Sequence, residues 1–370
     1  MVNKVELERL RGEPIDVRVP LESCPFFETS DAQRLCTNPV VSVNMITFNH
    51  EKYIGQAIES VVSQETDFEF ELLIGEDCSS DRTREICFEY QKKYPDKIRV
   101  IWSNENVFNT CGNSSRLRAR SRGQFIALCE GDDYWVDPQK LQKQIRIFNE
   151  NPAVTLCAGD IISLNDETGA MNPHSALQSL WMAGVNPRDE AFADAKWLPT
   201  CTAMFPRAVL ERAVERFEIF SWRLYLGDVI LWQALAYFGD VYVMYDHLGV
   251  YRSHAGGSMR TKADEVFRDS AIASIYFSLE TGEKSVGLFA SKIRQLVVHR
   301  CRILQRFGVR GRWLAIRKIL SDGEMSSLVF MEFGVVSLAA MILFGRLYWW
   351  FRQKHMGLSR RLNNLFIKVI

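Results

Sequence analysis

Between residues 40 and 130 the chain switches repeatedly between two hydrophobic periods. "VVSVNMIT" (40–47) is a short, nearly continuous apolar run rich in β-branched residues, the pattern of a strand buried on both faces. "EKYIGQAIESVVSQ" (51–64) then sets Tyr53, Ile54, Ala57, Ile58, Val61 and Val62 at helical spacing. "FELLIGE" (70–76) predicts a second strand, "DRTREICFEYQKKY" (81–94) a second helix, "KIRVIWS" (97–103) a third strand and "FIALCE" (125–130) a fourth. This alternation predicts an α/β fold with a Rossmann-like, mostly parallel central sheet flanked by helices. Ligands of such sheets bind beyond the carboxyl ends of the strands.

Polar residues gather at those ends. The first strand runs into Thr47-Phe48-Asn49-His50, the second into Glu76-Asp77-Cys78-Ser79-Ser80-Asp81, and the fourth into Glu130-Gly131-Asp132-Asp133. Adjacent carboxylates repel each other, so the last group calls for a compensating charge. A divalent cation that takes hard oxygen ligands supplies one. Neither GxGxxG nor GxxxxGK[ST] follows any strand, which removes the main support for dinucleotide and P-loop readings. Asp77 could instead cap the helix at 81–94, although Asp81 serves that purpose as well. Asp228 stands before "VILWQALAYF", a helical pattern, and reads as a cap or as a base.

Composition bounds the rest. With 370 residues, 47% of them hydrophobic, the chain can build a large domain plus an appendage. Lys+Arg and Asp+Glu both number 45, so overall charge selects no partner and no nucleic-acid ligand is expected. Nine scattered cysteines without a CxxC pair fit free thiols in a reducing cytosol. Residues 1–39 read as an N-terminal extension, 40–262 as the α/β domain and 263–370 as a helical C-terminal region, with helices expected near 264–280, 284–307 and 311–320. Residues 291–320 hold nine Lys and Arg and no acid, which points to an anionic partner. The apolar stretch 326–351 is interrupted by Glu332 and followed by Trp349, Trp350 and basic residues. It is expected to lie along a membrane's inner leaflet, with contact through 291–361, rather than to span it. A helix packed on the domain itself is the alternative. The protein is thus expected to be cytoplasmic and peripheral at the cytoplasmic face of the inner membrane.

"VSVNMITFNHEKYIGQAIESVVSQ", "LLIGEDCSSDRT" and "GQFIALCEGDDYWVDPQKLQKQ" together resemble the family 2 inverting glycosyltransferases of GT-A fold, in particular bacterial members with an EGDDYW motif. The likeness covers about residues 40–258. It implies a nucleotide-sugar site made by Thr47, Phe48, Asn49, Glu51, Asp77, Arg116 and Asp132, with Phe48 stacking on the base and Asp77 pairing with its ring N–H. It also implies Arg116 facing the diphosphate, Asp132 near the ribose and Asp133 ligating a Mn or Mg ion, with His254 of "YRSHAGGS" as a further metal contact. Asp228 matches the general base. Many members carry Glu-Asp where this chain has Gly227-Asp228, and Glu130 replaces the first Asp of a common DxD. The partners implied are a UDP-linked donor sugar and a glycan or lipid-linked glycan acceptor in surface polysaccharide or lipopolysaccharide synthesis. A sugar nucleotidyltransferase and a catalytically silent binding domain are the other readings.

Overall fold

The apolar runs do become parallel strands. Strands β2 (Val41–Thr47), β3 (Phe70–Glu76), β4 (Ile98–Trp102) and β5 (Phe125–Leu128) lie in the order β4-β3-β2-β5, all parallel. Every residue of β3 is buried, as expected of a strand covered on both faces. Successive side chains serve opposite faces. Leu72 and Ile74 join the larger core with helices α1 (Ile54–Val62), α2 (Thr83–Lys93) and α4 (Lys140–Glu150). Leu73 joins Ile101 and Leu117 of α3 (Asn113–Arg120) on the other side. Helix α1 buries Ile54, Ala57, Ile58, Val61 and Val62. Each of its larger side chains contributes about 1.5–3 kcal/mol by leaving water. Helix α2 has less to bury; Glu85 in its first turn and Lys92 and Lys93 in its last complement the helix dipole.

This computed structural model describes residues 26–107, 112–174, 177–178, 181–189, 191, 198–217 and 227–257. By backbone contacts the chain divides into two units, Met1–Ala263 with Leu279–Thr281, and Asp264–Ser278 with Gly282–Ile370. Every described residue belongs to the first. The expected helices after residue 263, the basic block at 291–320, the stretch at 326–351 and residues 1–25 lie outside the described residues. Among the described residues no helix is long and apolar enough to cross a membrane.

From β2 the chain winds outward through β3 to β4, then returns by α3 to β5 on the other side of β2. The strand order therefore reverses between β2 and β5, the place where an open α/β sheet receives its ligand. Beyond β5 the sheet is mixed. Strand β10 (Met204–Pro206) pairs antiparallel with both β5 and β7 (Val154–Asn165). Strand β7 pairs parallel with β11 (Asp240–Ser253) and antiparallel with β8 (Met171–His174), while β9 (Gly184–Asn186) pairs with β11. The far end of β11 also pairs with β6 (Tyr134–Trp135), Gly249 opposite Trp135 and Val250 opposite Tyr134. This ladder brings residues 252–254 against the turn 130–133.

Part of the stretch read as an N-terminal extension belongs to the sheet. Strand β1 (Phe27–Thr29) pairs antiparallel with β4. Phe27 stacks on Trp102 with ring centroids 4.5 Å apart, and Glu28 accepts from Arg99 Nε at 2.8 Å. Three residues are too few to show a period, so the pattern of hydrophobicity gives no sign of this strand.

Candidate active site

Backbone strain marks the carboxyl ends of β2 and β3. Asn49 and Cys78 both adopt positive φ, 56° and 62°. Asn tolerates this conformation; for Cys it costs on the order of 1 kcal/mol. The two turns are tied together: Asn49 N–H donates to Ser79 Oγ (3.0 Å), and Ser80 N–H donates to Asn49 Oδ1 (2.8 Å). Glu51 belongs to the same tie, its N–H donating to Asp81 Oδ2 (3.1 Å) and its Oε2 accepting from Arg82 N–H (3.1 Å). Asp81 also accepts from Thr83 N–H (2.9 Å), so Asp81 and Glu51 satisfy the opening turn of α2. Asp77 is not a cap.

Asp77 is instead buried, its Oδ1 accepting from Val107 N–H (2.9 Å) and facing Arg116 Nη2 (3.4 Å). Burial pushes its carboxyl up, against the pull of the Val107 N–H and the Arg116 charge. Sequence reading sets Arg116 toward a diphosphate, and here the structure corrects it. Helix α3 lies flat on β2 and β3, so the Arg116 side chain is fully enclosed beneath Asp77. Its Nη2 donates to Asn113 Oδ1 (2.8 Å), while Nε and Nη1 are buried with no hydrogen-bond partner among the described residues. Phe48, at the tip of the β2 turn, is 45% exposed.

The acidic turn is held close under β2. Gly131 N–H donates to Ile46 O (2.9 Å), and a Cβ on Gly131 would lie 2.7 Å from Thr47 Oγ1, so the approach requires glycine. Asp132 and Asp133 then diverge. Asp132 Oδ2 lies 3.0 Å from His254 Nε2 and 3.7 Å from His50 Nε2. One ligand atom from each of these three residues falls within 4.8 Å of the others. Burial raises the Asp132 carboxyl, but the hydrogen bond from His254 and the charges of both imidazoles outweigh it and hold the group below its usual range. Burial lowers His50 in spite of Asp132, favouring its neutral form. His50 Nδ1 lies 3.2 Å from Thr47 Oγ1. With the proton on Nδ1 donating to that oxygen, Nε2 presents a lone pair toward Asp132, the arrangement of a ligating imidazole.

Asp133 does not share this cluster with His254 as the sequence reading expects. Consecutive residues entering a strand point to opposite sides. Asp133 turns inward, only 4% exposed, and its Oδ1 accepts from Arg252 N–H (2.8 Å). It groups with Glu130 and the Cys201 thiol. Burial and the neighbouring charges of Asp132 and Glu130 push Asp133 well up. Burial, then Asp132 and Asp228, push Glu130 up to about 8. The charge of Asp228 is thus felt at the acidic turn although it comes from a separate element, the first turn of α6 (Gly227–Ala236). Asp228 Oδ2 accepts from Thr200 Oγ1 (2.9 Å).

A carboxylate with two imidazoles fits a cation. The mixed nitrogen and oxygen set suits Mn or another first-row ion better than Mg, which prefers oxygen throughout. His50, Arg252, Tyr53 and Thr200 are absent from the sequence-predicted set. His50, as the last residue of the polar run after β2, and Arg252, within "YRSHAGGS", stood in stretches the sequence had singled out.

A model of Glycosyl transferase family 2 matches residues 42–213. The domain built on this sheet is similar to the members of that family, whose model spans just under half of the chain, and it has the GT-A fold. An uncharacterized protein of Mycobacterium tuberculosis is 38% identical over 117 residues, 32% of this chain and 34% of that protein, so the chain spans about a third of that relative. An uncharacterized glycosyltransferase of Nostoc is 26% identical over 234 residues, 62% of this chain and 70% of the relative. Residues 1–349 of S. aureus TarS, solved in complex with UDP-GlcNAc, share the fold at a TM-score of 0.51 and 18% identity, covering 78% of this chain and 88% of that one.

Proposed function

We propose that this protein transfers a sugar from a UDP-linked donor to an acceptor hydroxyl, inverting the anomeric centre, with Asp228 as general base and Asp132, His254 and His50 holding a Mn ion. The observation that carries the reading is that Thr200, which holds Asp228 of α6, lies in the turn 200–202 packed against β5 and β6, the two strands that flank the acidic turn with Asp132. Displacement with inversion needs a base on the face opposite the leaving group, placed by an element other than the one that grips the donor. When bound, the ion supplies positive charge to the departing diphosphate. Asp228, held by the Thr200 hydroxyl, takes the acceptor proton as the new bond forms.

The base site supports uracil. The Asp77 carboxylate accepts from the ring N–H, and the enclosed Arg116 guanidinium behind it balances its charge. Exposed Phe48 offers a stacking face. The crystallized TarS complex with UDP-GlcNAc is consistent with such a donor on this fold.

Asp228→Asn tests the reading. Transfer and donor hydrolysis fall by at least about 100-fold, while calorimetric UDP-sugar affinity in the presence of Mn stays within a factor of two or so. Retained transfer, or loss of binding, overturns the assignment. The acceptor, in this reading, is a surface glycan carried on a lipid diphosphate, which suits the basic block at 291–320. Full-length protein found wholly outside detergent-free membranes rules that acceptor out.

A further inference from the structure

Asp166 sits in the turn between β7 and β8, away from the acidic turn in sequence and outside every motif described above. Both of its carboxylate oxygens are engaged. Oδ1 lies 3.3 Å from Arg252 Nη1, and Oδ2 accepts from Tyr53 Oη at 2.7 Å. Its N–H donates to Ser253 O (3.1 Å).

The two side chains it grips surround the proposed cation ligands. Arg252 is buried and reaches three other parts of the fold at once: the acidic turn, α1 and the β7–β8 turn. Its N–H holds Asp133 Oδ1 (2.8 Å), Nε donates to the Asp132 carbonyl (2.9 Å) and Nη2 donates to Gln56 Oε1 on α1 (2.7 Å). Its guanidinium carbon lies 4.7 Å from the centroid of the Tyr53 ring. That ring lies 5.1 Å from the ring of His254. Arg252 is a permanent positive charge beside an acidic cluster, yet the carboxylate it pairs with is Asp166.

We infer that Asp166 is a positioning residue for the cation site: it holds the Arg252 guanidinium away from the Asp132 and Asp133 carboxylates and, through Tyr53, fixes the ring of His254 against Asp132. Released from Asp166, Arg252 has two carboxylates within reach and takes the place of the metal's charge. The inference rests on the reading of Asp132, His254 and His50 as cation ligands. Substituting groups that orient metal ligands commonly costs 10–100-fold in affinity.

The test is titration of the full-length chain with Mn alone, followed by electron paramagnetic resonance of the free ion. Asp166→Ala is expected to weaken Mn binding by about 10–100-fold and Tyr53→Phe by a smaller factor. UDP affinity measured without metal, which reports the Asp77 side, stays at the wild-type value in both. Asp166 is partly exposed, and an unchanged denaturation midpoint confirms that the variant is folded. Wild-type Mn affinity in Asp166→Ala overturns the inference. Absence of Mn binding in the unsubstituted chain, or full affinity in His254→Ala, overturns the cation-site reading itself, and the inference falls with it.

Discussion

Lys140 carries a buried charge beside the Trp135 ring. The residue is 0% exposed, its Nζ donates to Gln144 Oε1 at 2.7 Å, and the ammonium lies 4.0 Å from the centroid of the Trp135 ring. Burial lowers its pKa from 10.5 to about 8. An unfolded lysine keeps its proton to about pH 10.4. Between these two values the unfolded chain binds more protons than the folded one, so this group makes stability rise with pH. Two to three pH units at about 1.4 kcal/mol each give roughly 3 kcal/mol in total. Lys140→Met removes the effect. It also leaves the Gln144 amide oxygen without its donor, a pH-independent cost of about 1–3 kcal/mol. The informative quantity is therefore the slope of the difference and not its value at one pH. Urea denaturation of both proteins at pH 7, 8, 9 and 10 measures it, and titrations common to both cancel. The wild type is expected to gain about 2–3 kcal/mol on the variant between pH 7 and 10. Parallel curves across that range refute the assignment of a depressed lysine.

Gly131→Ala places a methyl 2.7 Å from Thr47 Oγ1 and 2.8 Å from Thr47 Cβ in a buried strand. A loss of about 1–3 kcal/mol is expected from this overpacking, with weaker Mn binding, and wild-type values for both in denaturation and titration contradict the close-approach account. Arg116→Met leaves the buried Asp77 carboxylate without its cation and is expected to cost about 3–5 kcal/mol at pH 8. Asp77 is already raised, so acidification protonates it in the variant and shrinks the loss; a cost equal at pH 5 and pH 8 argues against the pairing.

What the sequence made legible follows from which signals are local. Strands β2 to β5 and helices α1 and α2 were readable because each carries its own apolar period, and β3 was found with its observed limits. The acidic turn stood out because crowded carboxylates are costly wherever they occur. The division of labour within it was not readable. Asp132 and Asp133 are neighbours of one chemical type, and what separates them is the direction each side chain leaves the backbone. That direction is fixed by the pairing of Tyr134 and Trp135 with β11, more than a hundred residues later. Arg116 was set toward a diphosphate by resemblance alone; its burial depends on α3, which carries no clear apolar period, lying against β2 and β3. His50, Tyr53, Arg252 and Asp166 form a site only through contacts among α1, the β7–β8 turn and β11, and no spacing in the sequence announces those contacts.

The late arrival of β11 bears on how the protein is made. On the ribosome, the four parallel strands and the turn at 130–133 emerge while the residue that braces both Asp132 and Asp133 is 119 positions away from the nearer of them. Until that segment appears, the Asp133 carboxylate has no Arg252 N–H to accept from and Asp132 has no imidazole from the 254 position. A nascent chain thus forms the parallel strands before the acidic turn has its partners, so an abortive product that stops short of β11 keeps the acids without Arg252 and His254.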